Sequence, residues 1–540
     1  MISNEQYRFG SAAWSELRDL KRGGLLDNRG LQIGYAAGKP ICLETDAPII
    51  TVAGAGSGKM RDLLALGVAR NAGARNFILD PRGEIASVTM INFALHDSHL
   101  YCWNPTGMRG LPQNRMNPLD ILKLSDPQFH ADCKFIAESL IPTSGASNGR
   151  YFELRAREWI ENIIKMLVER DGKVSFPALY RVINWIEADS NAWADCLEAM
   201  LGSSMDSVRR TAGEMLAKQQ ESEKEFGSIL GEIYAHLNFL DDPMLQVALD
   251  GADASLADTC NSVRPTSWAI NVPIEYVGLW SPILRTMFTV QMLYKSRAPS
   301  APRVTMIIDE AGQLGNFEAL LRAFTFGRGA GVQVWALFQD VGQIVRNFGA
   351  PALQGFLGSS ALRQFFGVRD YQTAQMISSM LGTETLEYDD GLRQADARRQ
   401  KLNAAMSIMN GGDPFSAYAD MKYHAFAEEH RTKQARALMM PEEVLAMPED
   451  RQLLFISGKN LKPIIAEKHP YYTRSDFAGR FLPNPFRPPQ DSVPIPSRWG
   501  ERRANVITEP VPQQFAHLPQ YAHGLWSYVD GYRPAQPQEK

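Results

Sequence analysis

The 540-residue sequence has few cysteines, no long apolar run and almost no excess of either charge. Its five cysteines lie far apart and form no C-x-x-C pair, so neither a disulfide framework nor a zinc site is predicted and a reducing cytosol is expected. Lys and Arg number 56 against 60 Asp and Glu, and the net charge of −4 rules out a polybasic, histone-like protein. Any contact with nucleic acid must therefore come from local basic patches.

The sequence also lacks a run of the roughly 18 uncharged apolar residues that cross a bilayer. The nearest candidate, residues 277–294, is interrupted by Arg285, and Ser281-Pro282 is typical of a helix start. The N-terminus has no apolar core of the kind that signal peptides contain. These features predict a cytoplasmic protein without a transmembrane segment, which begins and ends in the cytosol.

Residues 30–105 alternate short apolar runs with turn signals. A β-branched run at residues 47–53 ends in a glycine-rich turn, a helical pattern follows from 60 to 71, and a second buried strand is predicted at 76–79. Strand, loop, helix and strand in this order predict a βαβ unit and hence a parallel sheet covered by helices. Further strands, each followed by a helical pattern, are predicted at residues 267–272, 304–308, 332–338 and 361–368.

Between these two groups of strands, from about residue 126 to 250, helix formers dominate. In residues 151–169 apolar side chains recur at helical spacing, which predicts one buried helix face. The fold class is therefore α/β, with the sheet-forming domain split by an all-α domain. The predicted divisions are residues 1–125 for an N-terminal segment and the first part of the α/β domain, 126–250 for the all-α domain, 251–475 for the second part, and 476–540 for a tail.

The tail is rich in proline and poor in aliphatic runs. Such a composition buries too little apolar surface to offset chain entropy, so residues 476–540 are predicted to be mostly extended or disordered. Scattered aromatic residues, among them Trp499 and Trp526, are candidates to dock either on a partner or back onto the body of the protein.

The glycine-rich turn after the first strand is a candidate phosphate loop. Backbone amides that turn inward, together with a helix N-terminus, form an anion cradle, and the lysine reaches the β- and γ-phosphates. The match to G-x-x-x-x-G-K-[ST] is imperfect, because Ala53 replaces the first glycine and Met60 stands where a hydroxyl normally holds magnesium. A purely structural turn is the alternative. The candidate nucleotide-binding residues are Gly54, Ala55, Gly56, Ser57, Gly58, Lys59 and Met60.

A pair of carboxylates follows the apolar strand at residues 304–308. Asp309 is predicted to help bind Mg²⁺ and Glu310 to polarise the attacking water, as in phosphoryl-transfer sites. A strand that ends in a solvated acidic turn is the alternative. The two signals in this order, on strands of one split sheet, predict a nucleotide-binding protein with ATP and Mg²⁺ as its cofactors.

Several further segments are shared, in the same order, with one known family. They are ILDPRGEI at residues 78–85, RMNPLDIL at 115–122, DEAGQLG at 309–315, GRGAGVQVWALFQDVGQI at 327–344 and the closing segment at 439–472. Together they resemble the type IV secretion coupling proteins, the conjugative-transfer ATPases of the TraG/TraD type. The resemblance covers roughly residues 9–475.

This resemblance implies a RecA-like fold and assigns roles to three more residues. Asp80, at a predicted strand end beside the phosphate loop, belongs to the cofactor site; Arg328 is the arginine finger for the neighbouring subunit's nucleotide; Gln339 senses hydrolysis. A turn or surface residue without such a role is the alternative for each. Members commonly have two N-terminal membrane helices that this sequence lacks, so attachment at the inner membrane through partners is expected.

The function implied by the resemblance is an ATP-driven, homo-hexameric motor that couples relaxase-bound single-stranded DNA or an effector protein to a type IV secretion channel. Its implied partners are the channel ATPases, inner-membrane components and the cargo itself. A docking receptor with little hydrolysis and a soluble FtsK- or HerA-like DNA translocase are the alternatives. Candidate DNA contacts are Arg209-Arg210, on a predicted solvated helix face, and residues 393–401, in a predicted mobile loop.

Overall fold

The computed structural model describes residues 9–142, 149–251, 253–388, 390–411, 413–429, 432–478, 480–481, 484, 491–497, 500–517 and 524–532. The chain forms two compact units. The larger comprises Glu16–Gly367, Pro448–Leu461 and Ile465–Lys540, and the smaller comprises Met1–Ser15, Val368–Met447 and Lys462–Ile464.

The described residues form sixteen strands. They are β1 (Leu31–Ala36), β2 (Lys39–Leu43), β3 (Ile49–Ala53), β4 (Arg75–Asp80), β5 (His99–Trp103), β6 (Thr266–Asn271), β7 (Val304–Ile308), β8 (Val332–Phe338), β9 (Leu362–Phe366), β10 (Thr383–Tyr388), β11 (Thr432–Ala437), β12 (Arg451–Ile456), β13 (Ile464–Glu467), β14 (Ser492–Ser497), β15 (Gly500–Pro510) and β16 (Leu525–Val529).

The same residues form nineteen α-helices. They are α1 (Leu17–Arg22), α2 (Ala65–Arg70), α3 (Glu84–Leu95), α4 (Phe129–Leu140), α5 (Arg150–Asp171), α6 (Phe176–Ala188), α7 (Ser190–Leu201), α8 (Asp206–Glu221), α9 (Glu223–Leu237), α10 (Pro243–Leu249), α11 (Asp258–Asn261), α12 (Ser281–Arg297), α13 (Glu318–Phe326), α14 (Val341–Phe348), α15 (Ala350–Ser359), α16 (Tyr371–Leu381), α17 (Gly391–Met409), α18 (Pro414–Glu429) and α19 (Pro441–Leu445).

An eleven-stranded sheet organises the larger unit, in the order β2-β1-β13-β12-β9-β3-β8-β7-β4-β6-β5. The strands from β9 to β5 run parallel, while β1 pairs antiparallel with β2 and β13, and β12 with β9. The apolar runs predicted as strands are β3, β4 and β6 to β9, and the predicted α/β class is confirmed. In this order the carboxyl ends of β3, β8, β7 and β4 are neighbours, and that edge is where α/β sheets bind ligands.

Helices α4 to α11 occupy the stretch between Phe129 and Asn261, and no strand is present in the described part of that stretch. Trp159, Ile160 and Ile163 of α5 are fully buried, on the face that the helical spacing predicted. The segment lies in the same compact unit as the large sheet. Its boundaries at residues 126 and 250, and its independence as a domain, stay predictions.

Helix α12 contains most of the apolar run at residues 277–294, and Arg285 is buried within it. Its guanidinium donates to the main-chain carbonyls of Ser139 and Leu314, both at 2.9 Å. Across the described ranges, no helix combines the length and the apolar composition needed to cross a membrane.

The described part of the C-terminal tail is not disordered, and the character of residues 476–540 as a whole stays a prediction. Strands β14, β15 and β16 form a three-stranded antiparallel sheet. Val493, Ile495 and Val529 are buried together, and Trp526 packs with side chains of α3, so docking back onto the body is confirmed for that residue. The prolines of β14 are tolerated because it is an edge strand. Trp499 lies outside the described residues.

In the smaller unit, β10 and β11 form an antiparallel ribbon, and α17 packs against α18. The prediction of a mobile loop at residues 393–401 was wrong, because these residues lie within α17. Ala, Arg, Gln and Lys dominate this stretch, and all four have high helix propensity even where few apolar side chains are present.

Candidate nucleotide-binding site

The phosphate loop connects the end of β3 to a π-helical turn, Lys59–Leu64, that continues into α2. Gly56 and Gly58 have φ values of +72° and +83°, a region that side-chain-bearing residues rarely adopt. A Cβ on Gly58 would also lie 2.2 Å from a carboxylate oxygen of Asp62. The tight turn therefore needs glycine at position 58 for both backbone and space, and it brings successive amides to the N-terminal end of a helix.

Three predicted residues meet at a single carboxylate. The Nζ of Lys59 lies 2.7 Å from Oε1 of Glu310, and Nε2 of Gln339 donates to Oε2 of Glu310 at 2.8 Å. Glu310 and Gln339 follow the ends of β7 and β8, and Lys59 closes the loop that follows β3; these three strands are adjacent in the sheet. Lys59 and Glu310 are only 9% and 7% exposed, so this ion pair is largely shielded from water.

Glu310 also has an unusual backbone. Its φ of +60° and ψ of +43° are left-handed, which a non-glycine residue adopts at a cost of about 1–3 kcal/mol. Lys59 and Gln339 bind the two carboxylate oxygens of Glu310 and so hold its side chain in the direction that this backbone conformation gives it. Such local strain concentrates at functional sites, where the direction of one side chain matters.

Asp309 precedes Glu310 and accepts its backbone N–H at 3.1 Å. Burial raises the pKa of Asp309 to about 6, with Lys59 opposing the rise and Glu310 adding to it. Within the described ranges no three His, Cys, Asp or Glu side chains cluster as a ligand set. A carboxylate with an unfavourable buried charge suits a divalent cation, whose remaining ligands would be phosphate oxygens and water.

Asp80 ends β4, next to the end of β7. Its Oδ2 accepts the N–H of Ala86 at 2.9 Å and the side-chain amide of Asn271 at 3.2 Å, so it caps the first turn of α3. The residue is 1% exposed, and burial raises the pKa of Asp80 to about 7, with the charge of Asp309 adding to the rise. A direct contact of Asp80 with a nucleotide stays a prediction.

The side chain of Met60 is partly buried. It packs against a buried cluster that includes Tyr35, Leu66 and Tyr471. A contact of Met60 with the nucleotide stays a prediction, and its thioether side chain supplies no oxygen ligand for magnesium.

Arg328 is not part of the Lys59–Glu310–Gln339 network. It lies in the turn after α13, its side chain is 67% exposed, and its Nε lies 3.0 Å from Oδ2 of Asp46. Arg303 approaches the same carboxylate more loosely, at 3.9 Å. The structure thus presents Arg328 at the surface of its own chain.

The candidate basic patch on α8 is largely neutralised. Arg209 pairs with Asp206, and Arg210 lies 2.8 Å from Glu158. This agrees with the predicted solvated helix face, and leaves DNA contact at this patch a prediction.

Sequence reasoning missed Lys468, which follows β13. Its Nζ donates to the main-chain carbonyl of Ser57 in the phosphate loop at 2.7 Å. The two residues are 411 positions apart, so no local pattern could have connected them.

A parallel sheet with a glycine-rich loop, a loop lysine and an acidic strand end defines a P-loop nucleotide-binding protein. A family model described as "Type IV secretory system Conjugative DNA transfer" matches residues 13–409 and 416–490. The chain belongs to this family, and the resemblance deduced from its motifs is confirmed.

Curated relatives agree with this assignment. "Conjugal transfer protein TraG" of Escherichia coli is 21% identical over 485 residues, covering 82% of this chain and 72% of the relative. "Type IV secretion system-coupling protein VirD4" of Bartonella quintana is 24% identical over 247 residues, covering 44% of this chain and 33% of the relative. The chain thus spans most of the first relative's length but a third of the second's.

Solved structures of a plasmid coupling protein, TrwB, share the fold. The sulphate-bound form superposes with a TM-score of 0.61 at 17% identity, covering 85% of this chain and 95% of the other. The complex of TrwB with ADP and Mg²⁺ superposes with a TM-score of 0.59 at 18% identity, covering 83% of this chain and 91% of the other. At this level of identity the likeness shows the fold alone, a RecA-like P-loop architecture. Family membership and fold together make the chain a type IV coupling protein.

Proposed function

We propose that this coupling protein is an ATP-driven motor that recruits DNA, as a relaxase-bound single strand, or an effector protein and feeds it into a type IV secretion channel. The observation that carries the proposal is the contact of Lys59 and Gln339 with the two oxygens of Glu310. A network that joins a phosphate-binding cation, a water-orienting carboxylate and an amide suits phosphoryl transfer.

In this proposal each residue has one task. Lys59 exchanges its contact with Glu310 for the β- and γ-phosphates, which frees one carboxylate oxygen to orient the attacking water. Gln339 remains on the other oxygen and senses whether the γ-phosphate is present. Mg²⁺ at Asp309 would neutralise phosphate charge. Arg328 donates its guanidinium to the nucleotide of a neighbouring subunit in a hexamer, and its exposure supports a role between chains.

A second candidate function is a nucleotide-binding docking receptor with little hydrolysis. The packing of the Met60 side chain into an apolar cluster favours it, because the usual hydroxyl ligand of magnesium is missing. The FtsK- or HerA-like translocase is set aside, since the chain belongs to the conjugative DNA transfer family. Attachment at the inner membrane, through the channel ATPases and membrane components, remains part of the proposal.

Two variants test the site. Lys59→Ala is expected to abolish binding of a fluorescent ATP analogue, because the loop lysine that would contact the β- and γ-phosphates is removed. Glu310→Gln is expected to bind the analogue but to lose turnover. Lys459→Ala is the matched control, since Nζ of Lys459 binds the Gly23 carbonyl at 2.9 Å. Unchanged affinity of Lys59→Ala would contradict the phosphate-loop assignment.

Phosphate release by the wild-type chain, with and without single-stranded DNA, separates the two functions. The motor is expected to hydrolyse ATP faster in the presence of DNA. Binding of the nucleotide without measurable turnover under either condition would favour the docking receptor instead.

A further inference from the structure

Lys468 is a buried lysine that contacts the main chain of the phosphate loop. Besides its hydrogen bond to the Ser57 carbonyl, its Nζ lies 3.7 Å from Oδ2 of Asp62 and 4.1 Å from the centroid of the Phe366 ring. The residue is 2% exposed, and burial lowers the pKa of its ammonium group. A cation that loses its hydration in this way must be held by specific partners, and here its oxygen partners belong to the loop and to the turn that follows it.

The geometry of the peptide bond gives this contact a consequence on the other side of the loop. The Ser57 carbonyl and the Gly58 N–H belong to one planar trans peptide unit, in which the two groups point in opposite directions. A carbonyl fixed toward Lys468 therefore turns the Gly58 N–H away from Lys468. Among the described residues the Gly58 N–H has no hydrogen-bond acceptor, so it is available to a ligand.

The Asp62 carboxylate stands on the Cβ side of Gly58, where an added Cβ would come within 2.2 Å of its Oδ2, and it is bound by the guanidinium of Arg61. A cation on the carbonyl also polarises the peptide, which strengthens its N–H as a donor.

We propose that Lys468 is a positioning residue of the phosphate loop, which holds the Ser57 carbonyl and so aims the Gly58 amide at the phosphates of the nucleotide. The proposal rests on nucleotide binding at this loop and adds a second lysine, which acts through the backbone where Lys59 acts by direct contact.

Selective isotope labelling tests the proposal. The sequence contains Ser–Gly pairs only at 57–58, 144–145 and 457–458, so a chain labelled with ¹³C-carbonyl serine and ¹⁵N-glycine gives three carbonyl-linked amide signals. A Ser57→Ala variant identifies the 57–58 signal by its disappearance. In the wild type we expect the Gly58 amide to move downfield when ADP and Mg²⁺ are added, while the 457–458 signal stays in place.

In Lys468→Met we expect the Ser57 carbonyl signal to shift before nucleotide is added. The downfield response of Gly58 should then be lost, and ADP should bind roughly tenfold more weakly, as expected when a charge-assisted hydrogen bond is removed. Lys459→Met is the matched control, because it removes a lysine–carbonyl contact remote from the loop. This control variant should leave the Ser57 carbonyl signal, the Gly58 amide response and the ADP affinity unchanged.

Wild-type ADP affinity in Lys468→Met, or an unshifted Ser57 carbonyl, would overturn the proposal. A Gly58 amide that ADP does not move in the wild type would overturn it as well, even where Lys468→Met fails to fold. The Lys59→Ala variant distinguishes the two levels of failure. If Lys59→Ala also binds ADP with wild-type affinity, the assignment of nucleotide binding to this loop is wrong. If Lys59→Ala loses ADP affinity and Lys468→Met does not, only the role proposed for Lys468 is wrong.

Discussion

At the scale of single residues, two buried carboxyl groups make the stability of the folded chain depend on pH. Asp80 and Asp309 end the neighbouring strands β4 and β7, and burial raises their pKa values to about 7 and about 6. In the unfolded chain an aspartate has a pKa of about 3.9. The folded state therefore holds protons that the unfolded state releases. The stability from these protons is complete below about pH 4 and is lost as pH rises through 6 and 7.

Asp80→Asn is predicted to flatten this pH dependence. The amide still accepts a hydrogen bond from Ala86, but it has no proton to lose and no charge to repel Asp309. Without nucleotide or Mg²⁺, the thermal midpoint of the wild type should fall more between pH 5 and pH 8 than that of the variant. Differential scanning fluorimetry measures this, with the exposed Asp195→Asn as control. Parallel pH curves for Asp80→Asn and wild type would contradict the assignment.

At the scale of elements, the C-terminal sheet is part of the folded core of the larger unit. Trp526 of β16 is 4% exposed and packs with Phe515 and α3, and its Nε1 donates to Glu509 at 3.1 Å. Helix α3 begins four residues after Asp80. The C-terminal sheet therefore packs against a helix that starts at the candidate nucleotide site.

Trp526→Ala is predicted to destabilise the larger unit by about 3 kcal/mol or more, the usual effect of removing a buried tryptophan. Unfolding by urea measures the loss. Leu525→Ala is the matched control. Leu525 is the neighbour of Trp526 in β16, but it is 42% exposed, so its truncation removes little buried apolar surface. Deletion of residues 476–540 should likewise lower the melting temperature. A truncated chain with the wild-type midpoint would show that the sheet adds no stability.

The elements also show how far sequence patterns reach. The short apolar runs predicted β3, β4, β7 and β8 because buried parallel strands need continuous apolar residues. The positions of Asp309 and Gln339, directly after β7 and β8, then followed from these predicted strands. The C-terminal sheet was missed because its prolines outweighed the alternation of Val493 and Ile495. Lys468 was missed because its contact with Ser57 depends on tertiary folding alone.

At the scale of the whole molecule, the position of Arg328 predicts that turnover depends on assembly. Its guanidinium lies at the surface, on Asp46, outside the network at Glu310. ATPase activity per chain should therefore rise with protein concentration. Arg328→Ala should keep nucleotide affinity and lose turnover by roughly 10³-fold, the effect of removing an arginine finger.

Arg303→Ala is the control for this experiment, because Arg303 approaches the same Asp46 carboxylate and should leave turnover intact. Activity strictly proportional to enzyme concentration, in a sample that light scattering shows to be monomeric, would count against action between subunits.

The order of strands in the large sheet has a consequence for synthesis of the chain on the ribosome. Strand β3, which carries the phosphate loop, lies between β8 and β9, and Ile49 pairs with Trp335 and Leu362. At ordinary translation rates both neighbours emerge on the order of tens of seconds after β3 itself. Throughout that interval a strand that is apolar except for Thr51 has exposed edges on both sides. The nascent chain is therefore expected to need chaperone protection until β9 has emerged, and premature termination before residue 362 should yield aggregates without nucleotide affinity.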